Sequence, residues 1–469
     1  MRKARIAAFA AGAGALAVTV IAAVAPAAPA AGGPAGGQPR LVLKPGVVRL
    51  GLVNRSGPST TAQCEQADGI ACYQPGQLRA AYNLAPLYAK GINGKGRTIA
   101  IVDSFGSPTI RRDLATFDKQ FGYPAPPSFK IIHPAGNIPR YNPNNSDMIG
   151  WASETTLDVE YAHALAPGAN ILLVETPVSE TEGVTGFPQI VTAEKYVINH
   201  SLGDVISQSF SATEETFKNY AQLKPLRAAY TDASAHHVTV LAASGDSGAA
   251  DVGLDQATYF LRPVTSWPDS DPLVTAVGGT QLKLSRGKYT SVAWNDTYNK
   301  AANEFFAVNQ GPNPFASGGG KSEFFTRPGY QDHVRSVVGA RRGVPDIAMS
   351  GACNGAVQVY ESFGGQPAGW SLICGTSEAT PEFAAIVALA DQVAGHRLGL
   401  INRTLYALAA RHARGIVDVT SGNNTVSFTQ GQLRTVKGYP ARVGYDLVTG
   451  VGTINAASFV YELAGIPGH

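Results

Sequence analysis

The feature that most limits the fold is an alternation. Four short apolar runs, Arg97–Asp103, Asn170–Glu175, Val205–Ser209 and Val238–Ala243, are spaced through the middle of the chain. Their length and their Val, Ile and Leu content suit strands buried on both faces. Between them the spacing of apolar residues predicts helices over Ile110–Phe121, Ser153–Leu165, Ile190–Asn199 and Phe217–Ala235. Strand and helix in alternation predict an α/β fold, a doubly wound and mostly parallel sheet flanked by helices. Residues 279–330 read as hairpins and loops around Gly318-Gly319-Gly320. One large domain is expected over 72–469, with 32–71 a Gly-, Pro- and Ser-rich linker or short N-terminal arm. In open parallel sheets the site lies beyond the carboxyl ends of the strands. Asp103, Asp246 and Ser377 all fall in such places.

The first residues, Met1-Arg2-Lys3-Ala4-Arg5, precede an apolar run to about Val24 and then Ala-Pro-Ala repeats. That is the pattern of a secretory signal peptide, expected to span 1–31 and to be removed. Its loss takes three basic residues and brings the formal charge from +3 to zero. The exported chain then has no basic excess for nucleic acid or anionic membranes, and no membrane association is expected after cleavage. A charged fraction of 15% suits an acidic setting, because few surface carboxylates are lost on protonation. The 4 cysteines all lie in the exported part and allow three pairings. The local pairs, Cys64 with Cys72 and Cys353 with Cys374, are expected in an oxidising compartment.

Three stretches carry chemistry. Cys374-Gly375-Thr376-Ser377, followed by an apolar helical run through Pro381, reads as a tight turn into a buried helix, with Thr376 or Ser377 as its cap and Pro381 within its first turn. A hydroxyl there sits where backbone N–H groups favour a developing negative charge. Glu154 and Asp158 stand four apart, which on a helix places both carboxyls on one face. Two anions so close cannot both ionise easily, so the pair shuttles a proton in acid, where an imidazole is already protonated. Glu160 points off that face and reads as a solvated or structural charge. In Ser244-Gly245-Asp246-Ser247-Gly248 an apolar strand ends in a small-residue loop with an acid, a place for a protonated carboxyl that donates to an oxyanion. Near the C-terminus Asp418 and Asp446 with Gly-rich backbone offer oxygen ligands of the kind calcium takes.

Taken together, these motifs resemble the sedolisin family of serine-carboxyl peptidases, which have a subtilisin-like fold. The resemblance runs from about Cys72 to the C-terminus. It includes Gly375-Thr376-Ser377 with Pro381, Glu154 and Asp158 ahead of Ala164-Leu165-Ala166-Pro167-Gly168-Ala169, and Ser244-Gly245-Asp246-Ser247-Gly248. It also covers Trp267-Pro268 through Gly278-Gly279-Thr280, Ser317-Gly318-Gly319-Gly320, and Val344-Pro345-Asp346. The resemblance implies Ser377 as nucleophile, Glu154 as general base and acid, Asp158 as the residue that orients Glu154, and Asp246 as oxyanion donor. Asp103 stands where an acidic residue often supports the pair. Gly318, Gly319 and Gly320 are implied to edge the substrate cleft. One structural calcium ion is implied on side chains of Asp418 and Asp446 and backbone oxygens of Val419, Arg442 and Gly444; the family often has glycine where Arg442 stands.

The expected activity is therefore that of a secreted, acid-acting, monomeric serine-carboxyl peptidase on protein or peptide substrates, as an endopeptidase or a tripeptidyl peptidase. Family precursors usually carry a large N-terminal propeptide domain. Only the arm of 32–71 precedes the catalytic region here, so folding without an intramolecular prodomain is expected. Two other readings compete. A histidine-dependent subtilisin would use Asp103, a His and Ser377, but Glu154 starts the helix where the His belongs, and His163 lies more than two turns on. A secreted, non-catalytic binding protein could keep the same fold.

Overall fold

A computed structural model describes residues 48–54, 57–306, 311–365 and 367–466. The expected leader, 1–31, and the first part of the arm lie outside the described residues. No described helix is long and apolar enough to cross a membrane.

The four predicted strands lie side by side within one eight-stranded sheet. Across it run Lys288–Ala293, Thr275–Ser285, Thr239–Ala243, Val205–Gln208, Thr98–Ser104, Asn170–Thr176 and Phe129–Ile132, with Ile347–Ser350 also pairing to Thr275–Ser285. All pairings are parallel except the hairpin of Thr275–Ser285 with Lys288–Ala293. Strand order switches at Thr98–Ser104: its two neighbours, Asn170–Thr176 and Val205–Gln208, both come later in the chain and lie on opposite sides of it. Its carboxyl end is the crevice where an α/β sheet takes a ligand, and Asp103 sits there.

Two helices cover this crevice. Ser146–Leu165 and Thr376–Ala394 pack on each other and on the strands beneath. Both are buried all round over most of their length. A helix buried on every side needs no polar face, so its acids go inside. Glu160, expected as a solvated or structural charge, is a structural one: it is buried, and its carboxyl accepts the Tyr360 N–H at 3.1 Å. Burial pushes its pKa well above the usual range. The acid-bearing helix begins at Ser146, earlier than predicted, under an Asn145 cap.

One further expectation is corrected, and the choice between linker and arm is decided for the described residues. The single helix over Phe217–Ala235 is broken into Tyr220–Leu223, a 3₁₀ turn Lys224–Arg227 and Ala228–Ala235. Pro225 has no N–H to continue the ladder. The arm is not all linker. Val48–Asn54 pairs antiparallel with Gly369–Cys374, the strand that leads to Ser377. Thr61–Asp68 is a helix with a Thr60/Gln63 capping box. The disulfides Cys64–Cys72 and Cys353–Cys374 form as expected. The second fixes the strand one residue before Gly375.

Candidate active site

Gly375 ends the strand with φ 137° and ψ 168°, a conformation a side chain disfavours. The helix starts at Thr376, so neither Thr376 nor Ser377 is its cap. The cap comes from elsewhere in the chain. Asp246 Oδ1 accepts the Thr376 N–H at 2.6 Å and the Thr376 hydroxyl at 2.8 Å. Gly245 N–H donates to that same hydroxyl at 3.1 Å. Asp246 Oδ2 is out of solvent and has no partner. Burial raises the Asp246 pKa to about 7, against the lowering effect of the Thr376 bonds. One carboxyl oxygen is thus tied down and the other is free to carry a proton beside Ser377.

Pro381 lies inside the helix, past the first turn where it was expected. It lacks the N–H that would bond the carbonyl four residues back, which is that of Ser377. Ser209 Oγ takes up that carbonyl at 3.4 Å and lies 2.9 Å from Asp158 Oδ1. Ser209 therefore ties the nucleophile's backbone to the carboxyl pair.

Glu154, Asp158 and Asp103 are fully buried. The Ser377 hydroxyl lies beside the Glu154 carboxyl without closing a well-formed hydrogen bond. Burial first, then the nearby charges of Asp158 and Asp103, hold Glu154 protonated well above the usual carboxylate range. Asp158 is raised by burial and by Asp103, and Ser209 opposes the shift. Asp103 is raised to about 7 by burial, opposed by Thr155 and reinforced by Glu175. These acids keep protons at pH values where exposed carboxyls have lost them, as a shared proton between Ser377 and the pair requires.

The sequence reading missed Ser209, which only the fold brings in, and a second acid pair, Glu378 and Glu382. Both are fully buried on the nucleophile helix. Glu378 lies beside Ser350 and Asp246, and Glu382 beside Glu378 and Tyr82. The Tyr82 hydroxyl accepts the Ser350 N–H at 2.6 Å, which leaves its proton free to point at Glu382. Acids at four-residue spacing in an apolar helix were the available signal.

His163 is engaged elsewhere, with Nε2 2.8 Å from the Pro124 carbonyl and 3.3 Å from Asp118. Gly318 does not present the open peptide edge expected of it. Its N–H donates to the Gly245 carbonyl at 2.7 Å and its carbonyl accepts Ser244 Oγ at 3.0 Å. Gly319's carbonyl accepts Asn424 Nδ2 at 3.2 Å, and Gly320 pairs with Val344. Gly318 thus braces the loop that holds Asp246.

Asp418, Val419, Arg442, Gly444 and Asp446 gather around one loop. Asp418 Oδ2 accepts the Gly444 N–H at 2.8 Å, and Asp446 Oδ2 the Arg442 N–H at 2.9 Å. Among the described residues the carbonyls of Val419, Arg442 and Gly444 accept no hydrogen bond. Two carboxylates and three unpaired carbonyls fit a hard cation that takes oxygen ligands.

A parallel sheet in this order, with a seryl turn entering a buried helix above its crevice, defines the subtilisin-like class of fold. The subtilase family matches residues 133–433. The chain belongs to that family, and within it to the sedolisins. It is 31% identical over 396 residues to kumamolisin of Bacillus sp. (strain MN-32), covering 83% of this chain and 63% of that protein. It is 26% identical to sedolisin of Pseudomonas sp. (strain 101), covering 81% of this chain and 63% of that protein. The chain thus spans less than two thirds of the length of either relative. Its fold matches the solved Pseudomonas sedolisin (serine-carboxyl proteinase) complexed with two molecules of pseudo-iodotyrostatin. That match has a TM-score of 0.67 and 24% identity, and covers 84% of this chain and 99% of that one.

Proposed function

We propose that this chain is a secreted serine-carboxyl peptidase that cleaves protein or peptide substrates in acid. The observation that carries the reading is the Ser377 hydroxyl beside the buried Glu154 carboxyl, with a partnerless oxygen on the Asp246 carboxyl that holds Thr376. In this mechanism the pair holds one proton between its two carboxyls; when that proton rests on Asp158, Glu154 takes the Ser377 proton as Oγ attacks the scissile carbonyl. Asp246, protonated at Oδ2, donates to the forming oxyanion together with the Ser377 backbone N–H. Glu154 then gives its proton to the leaving amine, and the acyl-enzyme remains. Water reverses the steps, with Glu154 again as base. Asp158 holds Glu154 and shares its proton. The logic is that of the serine triad with a carboxyl pair in place of the imidazole.

Two disulfides agree with export to an oxidising compartment. The oxygen cluster of Asp418, Val419, Arg442, Gly444 and Asp446 would hold a calcium ion, which supplies structural bracing and no catalytic chemistry.

The test is incubation of purified protein with denatured haemoglobin or casein at about pH 3–4, where a carboxyl pair holds one proton. Cleavage that Ser377→Ala abolishes is expected. No cleavage anywhere between about pH 2 and 8 overturns the reading in favour of a binding protein on this fold, and activity that rises toward about pH 7–8 overturns the carboxyl mechanism.

A further inference from the structure

The carboxyl series does not stop at Asp103. The strand that carries Asp103 ends in a strained turn, with Phe105 at φ 60° and Gly106 at φ 73°. A left-handed phenylalanine is uncommon and costs energy. The turn is closed by Phe105 N–H on the Thr176 carbonyl at 2.8 Å and Gly106 N–H on the Ser104 carbonyl at 2.6 Å. It folds directly over Glu175, and a Cβ on Gly106 would overlap the Glu175 carboxyl. Asp103 and Glu175 are partners in register on adjacent parallel strands, so their side chains leave the same face of the sheet.

Three groups face the Glu175 carboxyl. Asp103 lies on the neighbouring strand, Arg111 on the helix that follows the turn, and His133 on the loop after Phe129–Ile132. His133 Nε2 is 2.7 Å from Glu175 Oε2, and its side chain is 44% exposed. Asp103 in turn faces Thr155, Glu154 and Asp158. Neither Asp103 oxygen has a well-formed hydrogen bond. The row Ser377, Glu154, Asp158, Asp103, Glu175 therefore runs from a closed interior to one imidazole that meets water.

We propose that Glu175 is a positioning residue for the catalytic carboxyls: paired with His133, it presents a negative charge to Asp103, which keeps the proton on Asp103 and so limits the charge that Asp103 turns toward the Glu154–Asp158 pair. The inference rests on the peptidase reading above. Its sign follows from charge. A like charge nearby favours the neutral form of Asp103. Burial raises Glu175 to about 7 against the lowering effect of Arg111, and a cation on His133, 2.7 Å away, favours its ionised form.

The test is the pH profile of kcat. Glu175→Gln should move the neutral-side limb to higher pH by about half a unit or more, because an Asp103 that ionises more readily holds the pair's proton more firmly. His133→Asn should move it the same way, His133→Lys should leave it as in the parent, and the double variant should match Glu175→Gln alone. Should Glu175→Gln fail to fold, the half-exposed His133 variants carry the test. A limb unmoved in both Glu175→Gln and His133→Asn, with the parent active in acid, overturns the inference and leaves the peptidase reading intact. An independent readout needs no turnover. In Ser377→Ala protein the ¹³C carboxyl resonance of Asp103 should titrate at lower pH once Glu175 is Gln, and an unchanged titration overturns the proposal.

Discussion

Asp246 caps the helix that carries Ser377 through Thr376. Its Oδ1 accepts both the backbone N–H and the hydroxyl of Thr376, at 2.6 and 2.8 Å, and its Oδ2 is left buried and unpartnered. The two oxygens have separate tasks. Asp246→Asn keeps an acceptor for Thr376 and places a permanent donor at the free position. Asp246→Ala removes both. Asp246→Ala should lose about 10²–10³-fold in kcat, the usual effect of deleting an oxyanion donor. Asp246→Asn should lose less and extend its activity toward neutral pH, because its donor does not titrate. Equal losses in the two variants, read from kcat/KM across pH, would show that the free oxygen has no such role.

Ser209 joins Asp158 to the Ser377 carbonyl that Pro381 leaves open. Its hydrogen bond lowers the Asp158 pKa, so Ser209→Ala should raise it and move the neutral-side limb of kcat upward. Loss of one hydrogen bond to a charged group, about 1.5–3 kcal/mol, sets the expected fall in kcat at about tenfold or more. A parent-like profile in Ser209→Ala would contradict the link.

Stability should fall as pH rises. Glu154, Asp158, Glu378 and Glu382 have folded pKa values well above their unfolded ones, and Asp103 and Asp246 reach about 7. For a raised acid the folded state binds more protons than the unfolded one. Its contribution is complete below the ordinary carboxyl range and is lost as pH climbs through the folded value. Melting temperature should therefore be highest near pH 4 and drop toward pH 7 and above. Glu378→Gln or Glu382→Gln should raise the pH 7 melting temperature by about 2 °C or more, with little change at pH 4. A melting temperature that is flat or rises between pH 4 and 8 would contradict this account.

Calcium should stabilise the fold through Asp418 and Asp446. At a hundredfold excess over Kd a bound ion adds about 2.7 kcal/mol. Chelation should then lower the melting temperature of the parent and leave Asp446→Ala unaffected by chelator. An unchanged melting temperature in chelated parent protein would dismiss the site.

Much of this was readable along the chain, because the signals were local. Apolar runs of strand length predicted Thr98–Ser104 and Asn170–Thr176 to within a residue. Four-residue spacing placed Glu154 and Asp158 on one helix face, and small residues marked the turn before Ser377. Signals that depend on what lies across from a residue were not readable. From its angle on one helix Glu160 could be a solvated or a structural charge, and only the enclosure of that helix on every side decides for the second. Gly318 was expected to offer its backbone to a ligand, yet the Asp246 loop already uses it.

By itself, then, the sequence determined the layered α/β frame, the seryl turn and the spacing of the acid pair, since periodicity and backbone preference act over a few residues. Tertiary structure alone decided that Asp246 caps a helix 130 residues away, that Ser209 fills the gap left by Pro381, and that Glu175 stands between His133 and Asp103. Hydrogen bonds and desolvation act through space, so those assignments exist only once distant segments have packed together.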